Sequence, residues 1–176
     1  MKDASPTTIY LKDYAPFPFR VKNVHLTFQL DPLKTRVISL VEFEPIAGAS
    51  QHDLFLHGED LRLIWAKIDG AAVSPQITKG GLSVRVPSAS FVWECEVEID
   101  PQNNTSLEGL YMSNGMYCTQ CEAEGFRKIT YYPDRPDVMA QFHVRIEGDL
   151  PILLSNGNPK APVSYTHLTL PTIVAV

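Results

Sequence analysis

Hydrophobic and polar residues alternate through most of the chain between residues 24 and 99, a pattern typical of β-strands with one buried face. The alternation is most regular over Phe91–Ile99, where one face is apolar and the other carries three glutamates. Similar but shorter patterns predict further strands at 24–30, 35–43, 53–57, 61–68, 82–86, 139–146 and 152–154. We find no convincing amphipathic helix and no internal repeat.

Turn signals separate these segments. Asp69-Gly70 predicts a tight hairpin, because both central residues of the favoured two-residue turn have positive φ. Gly80-Gly81 gives a similar signal before 82–86. Many short strands at close spacing predict an all-β fold, either an antiparallel β-sandwich or a saddle-like sheet of short strands.

Composition narrows the classes of partner. The net charge of -5 offers no basic surface, which argues against nucleic acid as a partner. No apolar run approaches the roughly 20 residues of a membrane span, and the N-terminus lacks the apolar core of a secretory signal. Three cysteines do not form a disulfide framework, so we expect a reducing, cytoplasmic location.

Potentially reactive side chains are concentrated in residues 118–137. This run contains a Cys-Thr-Gln-Cys sequence, Glu122 and Glu124, a glycine and Arg127, and then the turn Asp-Arg-Pro-Asp. Carboxylates beside a glutamine and a glycine suit a ligand that is cationic or donates hydrogen bonds. The same residues also suit an ordinary polar turn between two strands, which is the more common arrangement.

The same region resembles a known family, the zinc aminopeptidases of the aminopeptidase N type (gluzincin metallopeptidases), in their N-terminal domain. The matching residues are Asn-Thr-Ser-Leu-Glu-Gly-Leu-Tyr at 104–111, Ile-Thr-Tyr-Tyr at 129–132, Asp-Arg-Pro-Asp-Val at 134–138 and Leu-Leu-Ser-Asn-Gly-Asn at 153–158. The resemblance is strong over 107–158 and looser over 17–100.

The resemblance implies a role for two residues. In the family, the glutamate that follows Gln-Cys binds the free α-ammonium of the substrate, and the glutamine lines the first side-chain pocket; these positions are Glu122 and Gln120 here. The family's His-Glu-x-x-His zinc motif and its Gly-Ala-Met-Glu-Asn motif are absent from the sequence. The resemblance therefore implies a fragment that ends before the catalytic domain, recognises the peptide N-terminus, packs on that domain and is inactive alone, with zinc held elsewhere in the parent enzyme.

The chain divides into three predicted parts. Residues 1–20 form an extended, proline-containing lead-in at the surface, and residues 21–158 form the β domain. Residues 159–176 do not continue the family pattern, and we expect them to come from an engineered or out-of-frame junction.

Other signals favour structural roles. Cys118-x-x-Cys121 could be half a zinc site or a redox pair, but two packed free thiols fit the context better. We expect Arg127 to pair with Asp134 or Asp137, Tyr131 and Tyr132 to pack in the core or between domains, and an apolar patch to mark where a missing domain docks.

A second class of function stays open. The chain could be a free-standing β-sandwich module whose acidic loop binds a protein or a carbohydrate. A continuation of the reading frame into His-Glu-x-x-His would favour the enzyme, whereas peptidase activity of this chain alone would contradict a fragment without a metal site.

Overall fold

The structure is a computed structural model that describes residues 8, 10–46 and 53–158, together with the backbone of 167–175. It is almost entirely β. The strands are β1 (Phe19–Gln29), β2 (Thr35–Pro45), β3 (Asp53–His57), β4 (Arg62–Ile68), β5 (Ala71–Ala72), β6 (Gln76–Thr78), β7 (Gly81–Arg85), β8 (Phe91–Ile99), β9 (Gly109–Ser113), β10 (Met116–Gln120), β11 (Met139–Glu147) and β12 (His167–Ala175). Two short 3₁₀ helices span Leu11–Asp13 and Phe126–Lys128. Within the described residues, no helix is long and apolar enough to span a bilayer.

The largest sheet has seven strands in the order β12-β11-β1-β2-β8-β4-β5. Its neighbouring strands are antiparallel except for β1 and β11, which are parallel. The all-β prediction is confirmed, but a purely antiparallel arrangement is not. No tight turn joins β1 to β11, which lie far apart in sequence, so no hairpin imposes an antiparallel pairing on them.

Two smaller sheets complete the fold. One has three strands in the order β3-β7-β6, and the other is the β9-β10 hairpin. The predicted turn between β4 and β5 is confirmed, because Asp69 and Gly70 have φ of 50° and 78°. Gly81 has φ of 153°, and a Cβ there would lie 2.0 Å from the carbonyl oxygen of Leu56.

A single hydrophobic core contains side chains from the seven-stranded sheet and from the three-stranded sheet. The alternation in β8 is seen as predicted, with every second residue from Phe91 to Ile99 buried. From the three-stranded sheet, Leu54, Leu56 and Leu82 are fully buried in the same cluster. Burial of these alternating faces provides the main stabilisation of the fold.

Two local predictions were wrong, and a third was confirmed. Residues 152–154 are not a strand, and Ile152 and Leu154 are exposed, so they have no core contact to hold them extended. Tyr131 and Tyr132 are buried in the core as expected, in an irregular segment after the second 3₁₀ helix. Residue 8 and residues 10–16 of the lead-in are exposed, whereas Phe17 is already in the core.

The final strand lies within residues 159–176, the segment that was expected not to continue the family pattern. The backbone of His167–Ala175 pairs along the whole of β11 and forms one edge of the seven-stranded sheet. Residues 159–166 and 176 lie outside the described residues. The origin of the 159–176 segment stays a prediction.

Candidate functional site

The two predicted site residues lie where β10 ends. Gln120 is the last residue of that strand, and Glu122 follows in the turn formed by residues 121–125. Both residues are exposed, and the Gln120 side-chain amide donates a hydrogen bond of 3.1 Å to the Glu122 carbonyl oxygen. The Glu122–Ala123 peptide bond is cis. The structure thus places the Gln120 side chain against the Glu122 backbone at the surface.

Glu122 is exposed and has no cationic partner among the described residues. None of the ion pairs between described residues includes Glu122, whereas its neighbour Glu124 lies 3.5 Å from an Arg127 nitrogen. An exposed carboxylate retains most of its hydration and keeps its acceptor oxygens available. This arrangement suits the binding of an external cation.

The 121–125 turn is packed closely against the β9-β10 hairpin. The Gly125 N–H donates to the Cys121 carbonyl oxygen at 2.8 Å, which closes the turn. A Cβ on Gly125 would lie 2.3 Å from the Gln120 carbonyl oxygen and 3.0 Å from the Gly109 nitrogen. The turn therefore depends on glycine at this contact, and its backbone is fixed beside the strand that carries Gln120.

Arg127 joins the turn to the rest of the domain. Its backbone N–H and its Nε donate to one Asp134 carboxylate oxygen at 3.1 and 2.9 Å, and its Nη2 donates to the Asp134 carbonyl oxygen at 3.1 Å. Its Nη1 lies 3.5 Å from Glu124 and 3.8 Å from Glu59. The predicted pairing with Asp134 is confirmed, whereas Asp137 pairs with Arg135 at 2.7 Å.

The three cysteines are free thiols. Burial is the main cause that raises the pKa of Cys121, to about 11, and burial also raises the pKa of the fully buried Cys95. A high thiol pKa leaves little thiolate near neutral pH, and thiolate is the form that attacks disulfides and binds metals. The chemistry of Cys121 and Cys95 therefore favours packing over redox or metal roles.

The described residues contain no group of three or more His, Cys, Asp or Glu side chains arranged to hold a metal ion. His25 and His143 stack on each other across β1 and β11 with ring centroids 4.5 Å apart. His57 lies in β3, and its backbone pairs with Tyr132. These three histidines are spread over two sheets.

A cavity of about 270 Å³ lies near the second 3₁₀ helix, between the 99–106 turn, Asp60 and Lys128. Neither Gln120 nor Glu122 lines it. Lys128 is bound to Asp60 at 2.9 Å, so its charge is already paired. Glu122 is exposed and does not contribute to this cavity.

Sequence reasoning missed the depth at which this network is buried. The Asp134 side chain is 1% exposed and the Arg127 side chain 12% exposed. The contribution of Glu59, whose backbone N–H donates to the Arg127 carbonyl oxygen at 3.0 Å, was also missed. Only the density of charged residues in 118–137 pointed to this network, because Glu59 lies far from it in sequence.

Comparison with known proteins agrees with this fold and with the residues quoted above. The Peptidase M1 N-terminal domain family matches residues 21–167. The chain belongs to this family. Aminopeptidase N from Caulobacter vibrioides is 47% identical over 166 residues, which cover 92% of this chain and 19% of the relative. Aminopeptidase N from Escherichia coli K12 is 44% identical over 157 residues, which cover 87% of this chain and 18% of the relative.

Solved structures of the family share the fold. Aminopeptidase A of Legionella pneumophila, in complex with aspartic acid, matches with a TM-score of 0.80 and 28% identity over 92% of this chain and 20% of its own. An M1 zinc metallopeptidase of Deinococcus radiodurans, bound to a Tyr-Ser-Ala substrate, matches with a TM-score of 0.73 and 16% identity over 88% of this chain and 39% of its own. The M1 N-terminal domain described here thus spans about a fifth of the length of the curated relatives it matches.

Proposed function

We propose that this M1 N-terminal domain belongs to a zinc-dependent aminopeptidase that removes N-terminal residues from peptides, and that it supplies substrate recognition to that enzyme. Glu122 binds the α-ammonium of the peptide, and Gln120 contacts the first side chain. The observation that carries this proposal is the Glu122 carboxylate, which is exposed and lies outside the ion pairs of the described residues, on a turn whose backbone is tightly packed.

The chemistry suits an aminopeptidase. An enzyme that releases only terminal residues must distinguish a free ammonium from an internal peptide nitrogen, and a carboxylate does so through charge-assisted hydrogen bonds. A fixed contact to the terminus also sets the distance from the amine to the first peptide bond, and that positioning contributes to rate.

Zinc is assigned to the rest of the protein. Two observations support this assignment: burial raises the pKa of the Cys121 thiol, and the described residues contain no group of three or more possible metal ligands. In a zinc peptidase the bound metal supplies an activated water. The part played by this chain is to bind and orient the peptide.

The main partner in this proposal is the catalytic domain. Exposed apolar side chains support it, among them Phe55 and Ile77 on the three-stranded sheet and Met116 at the β9-β10 hairpin. A cytoplasmic location belongs to the same proposal and is supported by the free state of Cys95, Cys118 and Cys121.

The test uses the full-length protein, because relatives are about five times longer than this chain. Hydrolysis of alanine p-nitroanilide is measured with N-acetylalanine p-nitroanilide as the blocked substrate. Glu122→Ala should raise KM for the free amine about 10- to 100-fold, as expected for the loss of a charged hydrogen bond. Glu122→Gln should give a smaller rise.

Asp149→Asn is the matched control, because it removes another exposed carboxylate and should leave KM within about twofold. Thermal unfolding of this chain should be unchanged by Glu122→Ala. A full-length protein without aminopeptidase activity would refute the proposal. So would a Glu122→Ala variant with unchanged KM, or one whose main defect is a loss of stability.

A further inference from the structure

We propose that Arg127 is a positioning residue for Glu122: it fixes the 121–125 turn, and the turn positions the Glu122 carboxylate, which has no ion pair of its own among the described residues. This inference rests on the amine-binding role proposed above. The partly buried Arg127 side chain contacts three separate segments, through Glu59 after β3, Glu124 in the turn and Asp134.

The link to Asp134 is the anchor. Two Arg127 nitrogens donate to the same Asp134 carboxylate oxygen and a third donates to its carbonyl oxygen. The two bonds from Nε and Nη2 fix the plane and the direction of the guanidinium group, and the third bond comes from the Arg127 backbone. Lysine carries the same charge but lacks this planar fork, so it cannot reproduce the geometry.

The other side of the guanidinium reaches the turn. Its Nη1 lies 3.5 Å from the Glu124 carboxylate, which is 58% exposed and lies two residues after Glu122. The turn has a second constraint at Gly125, where backbone packs on backbone. Together these contacts hold both the end of the turn and the side chain next to Glu122.

These different roles explain why Glu124 is paired with Arg127, whereas Glu122 has no ion pair among the described residues. Because Glu124 pairs with Arg127, the Glu122 carboxylate is not attracted to Arg127 and stays available for an external cation. A carboxylate held in this way loses less conformational entropy when the ligand binds than a carboxylate on a loose loop does.

The experiment is a double-substitution cycle in the full-length protein with alanine p-nitroanilide. Arg127→Lys should raise KM about 5- to 20-fold and change kcat less than about threefold, because binding of the amine is weakened. In a Glu122→Ala background, Arg127→Lys should change KM by less than about twofold, because the residue it positions is gone. Glu124→Gln, at an exposed position that does not threaten folding, should raise KM about two- to fivefold.

Arg135→Lys is the matched control. It disturbs another arginine–aspartate pair, Arg135 with Asp137 at 2.7 Å. The further contacts of this pair include the Ala15 carbonyl oxygen, the Tyr14 hydroxyl and the Phe17 ring, which lie in the lead-in and not in the turn. The substitution should leave KM within about twofold.

The outcomes separate the two proposals. An unchanged KM in Glu122→Ala rejects the proposed function itself. A raised KM in Glu122→Ala with an unchanged KM in both Arg127→Lys and Glu124→Gln rejects the positioning role alone. An equal rise for Arg127→Lys with and without Glu122 also rejects it, since the effect would then not pass through Glu122.

Discussion

His57 lies close to the charged residues around Arg127, and its protonation makes the stability of the domain depend on pH. Burial is the main cause that lowers its pKa below 6.5, and the nearby Arg127 charge lowers it further, against opposing effects of Asp134 and Glu124. Its Nδ1 is buried without a hydrogen-bond partner among the described residues. The folded state therefore favours the neutral imidazole.

This environment predicts a loss of stability in mild acid. The pKa of His57 in the folded state lies below the unfolded value of 6.5, so the unfolded state binds the proton more readily. The contribution of His57 to the free energy of unfolding is therefore fully present above pH 6.5 and decreases as the pH falls below that value. We expect the free energy of unfolding, measured by urea titration, to fall between about pH 7 and 5, and His57→Gln to reduce this slope.

The Glu98 and Asp137 carboxylates lose their contribution to the free energy of unfolding at lower pH than His57 does. The pKa of Glu98 is lowered from 4.5 by its hydrogen bond from Arg62, and that of Asp137 is lowered from 3.8 by its hydrogen bond from Arg135. Both carboxylates therefore affect stability below about pH 4.5. An unchanged slope between pH 7 and 5 in His57→Gln would show that His57 is not the group responsible.

Sequence reasoning about single residues succeeded where partners are close in the chain. Arg127 and Asp134 are seven residues apart, and their pairing follows from opposite charge and short separation. The contact between Glu59 and Arg127 could not be predicted, because it depends on where β3 ends in space. Whether Glu122 binds an amine stays a prediction that rests on the resemblance and on its exposed position.

Among the elements, the 121–125 turn depends most on one small residue. Gly125→Ala should displace the turn, because the added Cβ would meet backbone atoms of Gln120, Cys121 and Gly109 at 2.3, 2.9 and 3.0 Å. We expect a loss of about 1–3 kcal/mol in the free energy of unfolding, as for other overpacked sites. Exchange of the Gly125 amide hydrogen should also be faster in Arg127→Lys than in wild type.

Gly80→Ala is the control for this substitution. A Cβ at Gly80 would have no atom within 4 Å, and the residue has no positive φ, so alanine should leave the free energy of unfolding within about 0.5 kcal/mol of wild type. If Gly125→Ala were as stable as Gly80→Ala, the close approach at the turn would not constrain it.

Strand boundaries were predictable where burial alternates and less so elsewhere. β8 was predicted with its full extent because it lies between β2 and β4 in the sheet and buries every second residue along its whole length. The β9-β10 hairpin was missed, since its strands bury only Gly109 and Leu110 and so show little alternation. The parallel pairing of β1 with β11 also could not be inferred, because no local signal records which distant strands meet.

At the scale of the whole molecule, residues 126–134 connect the seven-stranded sheet to the three-stranded sheet. The Thr130 hydroxyl donates to the Ser39 hydroxyl of the seven-stranded sheet at 3.1 Å and lies 3.7 Å from the Cys95 sulfur. Two residues later, the Tyr132 backbone exchanges hydrogen bonds of 2.9 and 3.1 Å with His57 of the three-stranded sheet. The segment that carries Arg127 is therefore part of the core and couples the sheets.

This coupling predicts opposite effects for two conservative substitutions in the segment. Thr130→Val removes a buried hydrogen bond and should lower the free energy of unfolding by about 1–2 kcal/mol. Tyr132→Phe removes a buried hydroxyl that has no partner among the described residues, so stability should be unchanged or higher by up to about 1 kcal/mol. In both variants, unfolding followed by tryptophan fluorescence, which reports the seven-stranded sheet through Trp65 and Trp93, should coincide with unfolding followed by far-UV circular dichroism. Separate transitions in Thr130→Val would show that the sheets unfold independently and that residues 126–134 do not couple them.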